Sequence, residues 1–146
     1  MKILIRVNEI TEVIELNETG SAKRIYESLP LKGHANTWGE EIYFSIGISL
    51  DTEKGKEEVN VGDVAYWPPG NAFCIFFGIT PASKNEKPRA ASKVNVIGKV
   101  VGDSKVFKKV KDGDNVYLEA LDDLWVKPYF SAICSNSLIL FPDSPT

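Results

Sequence analysis

Reactive side chains in this 146-residue chain occur singly rather than in clusters. The one histidine, His34, and the two cysteines, Cys74 and Cys134, are far apart in sequence. No short-spaced ligand set for a metal forms, and no cofactor is implied. A serine or cysteine nucleophile would have to share His34 as its base. That histidine sits in Lys32-Gly33-His34-Ala35-Asn36, and no nucleophile elbow surrounds any serine. Carboxylates adjoin at Glu40-Glu41, Glu57-Glu58 and Asp122-Asp123. Neighbours in a strand point to opposite faces, so adjacency makes no catalytic dyad, although Glu40 or Glu41 could line a pocket singly. Neither the dinucleotide fingerprint nor the phosphate loop is present. What remains is aromatic. Tyr66-Trp67-Pro68-Pro69-Gly70 sets two large amphipathic rings before a rigid turn. Such rings at a strand end can receive proline or an extended peptide, and they can equally plug the end of a barrel. Arg89 stands alone in a polar stretch, as a surface charge or an anion clamp.

Composition narrows the classes further. With 43% hydrophobic residues the chain suits one domain with its own core. Its 17 basic and 20 acidic residues leave a weakly acidic balance that argues against a nucleic-acid partner. The apolar start, Ile3-Leu4-Ile5, breaks at Arg6, which predicts no signal peptide. No apolar run approaches the roughly 18 residues of a membrane span, so a reduced, cytoplasmic protein is expected. The chain has no glutamine, no methionine beyond Met1, and arginine only at positions 6, 24 and 89.

The elements that must hold these residues read as mainly β. Lys2 to Val7 alternates apolar and polar residues as a half-buried strand does, and a second strand is expected over Glu12 to Leu16. Ser21 is placed to cap a helix through Ala22, Ile25, Tyr26 and Leu29, which Pro30 ends. Further strands are expected at Glu41 to Ile46, Val64 to Trp67, Ala72 to Phe77, Val94 to Val101 and Asn115 to Leu121. The Ala72 to Phe77 run is apolar enough to be buried on both sides. Asp51 to Asn60 reads as a solvated loop or exposed hairpin and Thr80 to Ser92 as an exposed loop. A short second helix starts at Asp103 or Ser104, with Val106, Phe107 and Val110 on one face. Residues 121–146 change character, gathering Trp125, Tyr129 and Phe130 before Leu138-Ile139-Leu140-Phe141. They are expected to form an extension that covers a barrel face or mediates self-association.

Placed in order, these motifs resemble a known family. Gly62-Asp63-Val64-Ala65-Tyr66, Phe73-Cys74-Ile75-Phe76-Phe77 and Val96-Ile97-Gly98-Lys99-Val100-Val101 with a lysine-bearing helix are similar to the second half of cyclophilin. Asn36-Thr37-Trp38-Gly39-Glu40-Glu41-Ile42-Tyr43-Phe44, Tyr66-Trp67-Pro68-Pro69-Gly70, Phe76-Phe77-Gly78 with Thr80-Pro81, and Ala91-Ser92 with Val94-Asn95-Val96-Ile97-Gly98 resemble the small prokaryotic cyclophilin-like proteins of unknown function. The resemblance covers residues 1–120. It implies a closed eight-stranded cyclophilin-like β-barrel with two short capping helices.

The same resemblance frames the functional expectations. Prolyl isomerases of the family surround a proline pocket with arginine, glutamine, histidine, methionine, tryptophan and phenylalanines. This chain lacks the glutamine, the internal methionine and any arginine between Arg24 and Arg89, so isomerisation by that mechanism is not supported. The motifs particular to the small prokaryotic group gather at Glu40, Glu41, Tyr43, Tyr66, Trp67, Phe73, Arg89 and Asn95, which become the candidate ligand-binding residues. Whether Phe76 or Phe77 faces the site stays open, because a one-residue slip turns every side chain to the other face. The expectation is a binding module for an extended or proline-containing peptide, or for a small ligand. Weak prolyl isomerisation and amide-type chemistry on a small molecule are the enzymatic alternatives.

Overall fold

The computed structural model describes residues 1–121; the expected C-terminal extension lies outside the described residues. Among the described residues, ten strands form one antiparallel system. The first, β1 (Lys2–Val7), buries Ile3, Ile5 and Val7 and pairs in register with β2 (Ile10–Leu16), Val7 facing Ile10 across a tight turn. Asn8 sits in that turn at φ 54°, a left-handed conformation that asparagine tolerates better than most residues. The helix α1 (Gly20–Glu27) follows. Its N-cap is Thr19 rather than the expected Ser21: Thr19 Oγ1 accepts the Ala22 N–H at 3.2 Å, while Ser21 is buried inside the first turn. Burial of Ala22 and Ile25 fastens the helix to the core.

The remaining strands are β3 (Leu31–His34), β4 (Asn36–Thr37), β5 (Glu41–Ser45), β6 (Lys56–Glu58), β7 (Asp63–Trp67), β8 (Ala72–Phe76), β9 (Arg89–Val100) and β10 (Asn115–Leu121). Two expectations shift here. The charged stretch expected as solvated loop or hairpin contributes β6, which pairs with β9 alone, and β9 starts at Arg89, inside the stretch expected as loop. The second helix is a 3-10 helix over Ser104–Lys109, with Asp103 as its cap. Another 3-10 turn, Pro68–Gly70, follows β7 and has proline at its start, where a missing N–H costs nothing.

Hydrogen bonding runs β3-β10-β1-β2-β9-β7-β8-β5-β4, with β6 off this path. The path has two ends, so the ladder does not close into the eight-stranded ring. One end nevertheless approaches the strand beside the other: a Cβ added at Gly33 of β3 would lie 3.1 Å from the Ser45 carbonyl oxygen and 3.2 Å from the Phe44 ring of β5. Packing, rather than main-chain pairing, brings these strands together. A glycine also permits the β2–β9 crossing, since a Cβ at Gly98 would lie 2.3 Å from the Glu15 carbonyl oxygen.

Two apolar clusters share the sheet. The larger gathers Ile3, Ile5, Ile14, Ile25, Phe44, Val64, Tyr66, Phe73, Ile75, Ile97, Phe107 and Leu118. The smaller lies on the other face of β5, β7, β8 and β9 and holds Val59, Ala65, Ala72, Cys74, Phe76, Ala90 and Val94. Every residue of β8 is buried, so this strand serves both clusters as its apolar run requires. Phe76 belongs to the smaller cluster and Phe77 to the larger.

Candidate functional site

Strand alternation sorts the candidate residues. On β5, Glu41 and Tyr43 lie two apart and share one face, where they meet Trp67 from the end of β7 and Ala90, Ala91 and Val94 from β9. Trp38, from the turn between β4 and β5, completes the lining of a cavity of about 190 Å3. That turn is held by the Trp38 N–H donating to the Glu41 carbonyl at 2.9 Å, and Gly39 makes it at φ +61°. A Cβ there would meet Thr80 Cα at 2.9 Å, which only glycine avoids. The Tyr43 and Trp67 rings meet edge to face, with centroids 6.4 Å apart and planes at 71°. The Trp67 indole N–H donates to Ser92 Oγ at 2.7 Å, which anchors the ring to β9.

Glu41 is the unusual group. It is 5% exposed, and burial raises its carboxyl from 4.5 to about 7, with a hydrogen bond to the Cys74 thiol opposing that shift. Cys74 responds in kind: burial, then the Glu41 charge and its hydrogen bond, push the thiol well above its ordinary value. Cys74 is therefore a buried, neutral thiol hydrogen-bonded to Glu41 and not a thiolate nucleophile. Near neutrality the Glu41 carboxyl exists in both protonation states, so it can donate or accept a proton at little cost.

Three of the eight candidates, Glu41, Tyr43 and Trp67, come together at this cavity. The other five are placed elsewhere. Tyr66 is fully buried in the larger cluster, because its neighbour Trp67 takes the opposite face; its hydroxyl accepts the Leu50 N–H at 3.0 Å and donates to the Ile48 carbonyl. Phe73 is likewise fully buried against Phe44, at a ring distance of 5.2 Å. Asn95 is 1% exposed and acts as a staple: its Oδ1 accepts the Glu53 N–H at 2.7 Å, and its Nδ2 donates to the Asp51 carbonyl at 2.8 Å and to Ser21 Oγ at 3.1 Å. Glu40 turns away from Glu41, accepting the Ile79 N–H at 3.2 Å and pairing with Lys108 at 3.3 Å. Arg89 pairs with Glu57 at 2.6 Å. Trp38 is the lining residue that strand periodicity misses, since it sits in a turn, although it lies inside the Asn36 to Phe44 motif.

A family model described as cyclophilin-like matches residues 1–119. The chain belongs to the cyclophilin-like family. This cyclophilin-like chain is also similar to the solution structure of the hypothetical protein AF2241 from Archaeoglobus fulgidus, with 42% identity and a TM-score of 0.71. The match spans 83% of this chain and 95% of that one. No curated protein matches the cyclophilin-like chain. Among the described residues, no helix is long and apolar enough to cross a membrane, and no three His, Cys, Asp or Glu residues group as metal ligands.

Proposed function

We propose that the chain is a ligand-binding module whose site is the cavity between β5, β7 and β9, taking a small ligand or a side chain of an extended peptide. The observation that carries this reading is the convergence of Trp38, Tyr43 and Trp67 with one nearly buried carboxyl, Glu41, around a single opening. Apolar walls with a few convergent polar groups and a perturbed carboxyl are the general form of a small-ligand site. Prolyl isomerisation finds less support, because among the described residues no arginine or histidine lines this cavity and the chain has no glutamine.

The test is a two-dimensional NMR titration of labelled protein with Xaa-Pro peptides and small amides, run beside a proline-isomerisation assay. Shifts confined to Trp38, Tyr43, Trp67, Ala90 and Val94 without turnover are the expected result. Shifts centred elsewhere would refute the site. A second reading, acid–base chemistry on an amide-type small molecule, is favoured by Glu41 and Tyr43 lining the same cavity. It predicts turnover that is lost in Glu41→Gln.

A further inference from the structure

Accepting the cavity as a ligand site, its lining still has to match the charge of the occupant. Three elements contribute rings to it: Trp38 from the β4–β5 turn, Tyr43 from β5 and Trp67 from β7. Two of those rings stand at 71° to each other and so form a corner. Ring faces carry negative potential and attract cations, most strongly where water is excluded. Among the described residues, no lysine, arginine or histidine lines the cavity and Glu41 is its one carboxyl, which has no counter-ion in that lining. Two cations of neighbouring elements are engaged elsewhere, Arg89 by Glu57 at 2.6 Å and Lys108 by Glu40 at 3.3 Å.

We propose that the cavity receives a methylated ammonium group, with the Trp38, Tyr43 and Trp67 rings around it and the Glu41 carboxylate as its counter-ion. The inference rests on the ligand-site reading above and specifies the chemistry of the ligand. A quaternary ammonium offers apolar methyl groups to the rings and a diffuse positive charge to the acid. It needs no hydrogen-bond acceptor, and the cavity supplies few.

Proton linkage fixes the sign of the pH dependence. The titratable groups facing Glu41 are Tyr43 on its own strand and the Cys74 thiol from β8, while β9 presents Ala90, Ala91 and Val94. Burial holds the empty site's carboxyl near 7, so an arriving cation must displace the proton it carries at lower pH. Affinity for a permanent cation therefore rises with pH, by about tenfold from pH 6 to pH 8. A neutral carbonyl ligand would instead use the protonated acid as a donor, and its affinity would fall over the same interval.

The experiment compares (2-hydroxyethyl)trimethylammonium with its uncharged isostere, 3,3-dimethylbutan-1-ol, by NMR and tryptophan fluorescence from pH 6 to pH 8. A peptide bearing trimethyllysine, run in parallel, distinguishes a peptide-borne cation from a free small molecule. The cation is expected to bind more tightly than the alcohol, with the stated pH trend. Glu41→Gln is expected to flatten that trend, and Tyr43→Leu to weaken the cation more than the alcohol. Equal binding of the two probes, or cation binding that is flat or weaker at pH 8, overturns the proposal. If Xaa-Pro peptides shift the cavity residues while no cation does, the cationic occupant is refuted and the ligand site stands. If nothing shifts them, the site reading itself has failed.

Discussion

Replacing Glu41 by glutamine tests the burial of its carboxyl without any ligand. The folded chain holds this acid's proton up to about pH 7, whereas the ordinary value, which the unfolded chain keeps, is 4.5. Below the lower value both states are protonated, and above the upper value both are ionised. Between them the native state alone carries the proton, so raising the pH through this window favours unfolding. At about 1.4 kcal/mol per pH unit, the shift from 4.5 to about 7 corresponds to roughly 3 kcal/mol of stability lost by pH 8. Glu41→Gln removes that loss, and the Cys74 thiol, which Glu41 also pushes up, titrates above this pH range in either protein. Urea denaturation of both proteins at half-unit steps from pH 4.5 to pH 8.5 should therefore give stability curves that diverge as pH rises. The relative gain of the variant approaches ~3 kcal/mol, on the order of 10 °C in Tm for a domain of this size. The carboxyl carbon of Glu41, followed by NMR, should titrate near pH 7 in the wild type. Parallel curves, or a carboxyl titrating in the ordinary range, would refute the argument that desolvation dominates this group.

Other substitutions address other parts of the structure. Asn95→Ala strands the Glu53 N–H and the Asp51 carbonyl and should cost about 1–3 kcal/mol in chemical denaturation while leaving ligand shifts at Trp67 unchanged. Gly98→Ala forces a methyl group to 2.3 Å from the Glu15 carbonyl oxygen, and a loss of about 3 kcal/mol should appear in the same measurement. Glu53 carries a carboxyl held below its ordinary value by the backbone N–H and hydroxyl of Ser21, a contribution present at neutral pH and lost as pH falls through the lowered value. Glu53→Gln should thus destabilise the protein more at pH 7 than in acid, the difference shrinking as pH falls through the lowered value. Alkylation of Cys74, followed by mass spectrometry of its peptide, should proceed only as fast as the native structure opens, because the thiol is buried and protonated.

Legibility in the sequence follows the range of the interactions involved. The alternation of Ile3, Ile5 and Val7 and the unbroken apolar run of β8 are local signals, and both strands form where those signals lie. The site was legible to the extent that it lies on strands: Glu41 and Tyr43 share a face because they are two residues apart. The same rule separates Tyr66 from Trp67, and grouping them as one aromatic surface overlooked it. Phe76 and Phe77 needed the Glu41–Phe76 pairing, a contact between strands that no local pattern specifies. Asn95 resisted for a stronger reason. Its partners Asp51, Glu53 and Ser21 lie 44, 42 and 74 residues away, so a polar residue in a strand looked available when its hydrogen bonds were already committed. The open strand path was equally hidden, since only the hydrogen-bond order shows that β3 and β4 are its ends.

Tyr66 and Trp67 are bonded neighbours, yet one belongs wholly to the interior and the other to the cavity. The pleat thereby divides labour at the scale of a single peptide unit. Replacing Tyr43, Trp67, Ala90 or Ala91 would reshape what the opening admits while leaving Phe44, Tyr66, Phe73 and Ile75 to keep the chain folded. The strands β5, β7, β8 and β9 all face both ways and tie the two tasks together, β8 with every residue buried. A chain built like this can acquire a new ligand preference in few steps, and its repertoire is bounded mainly by how much change those shared strands tolerate.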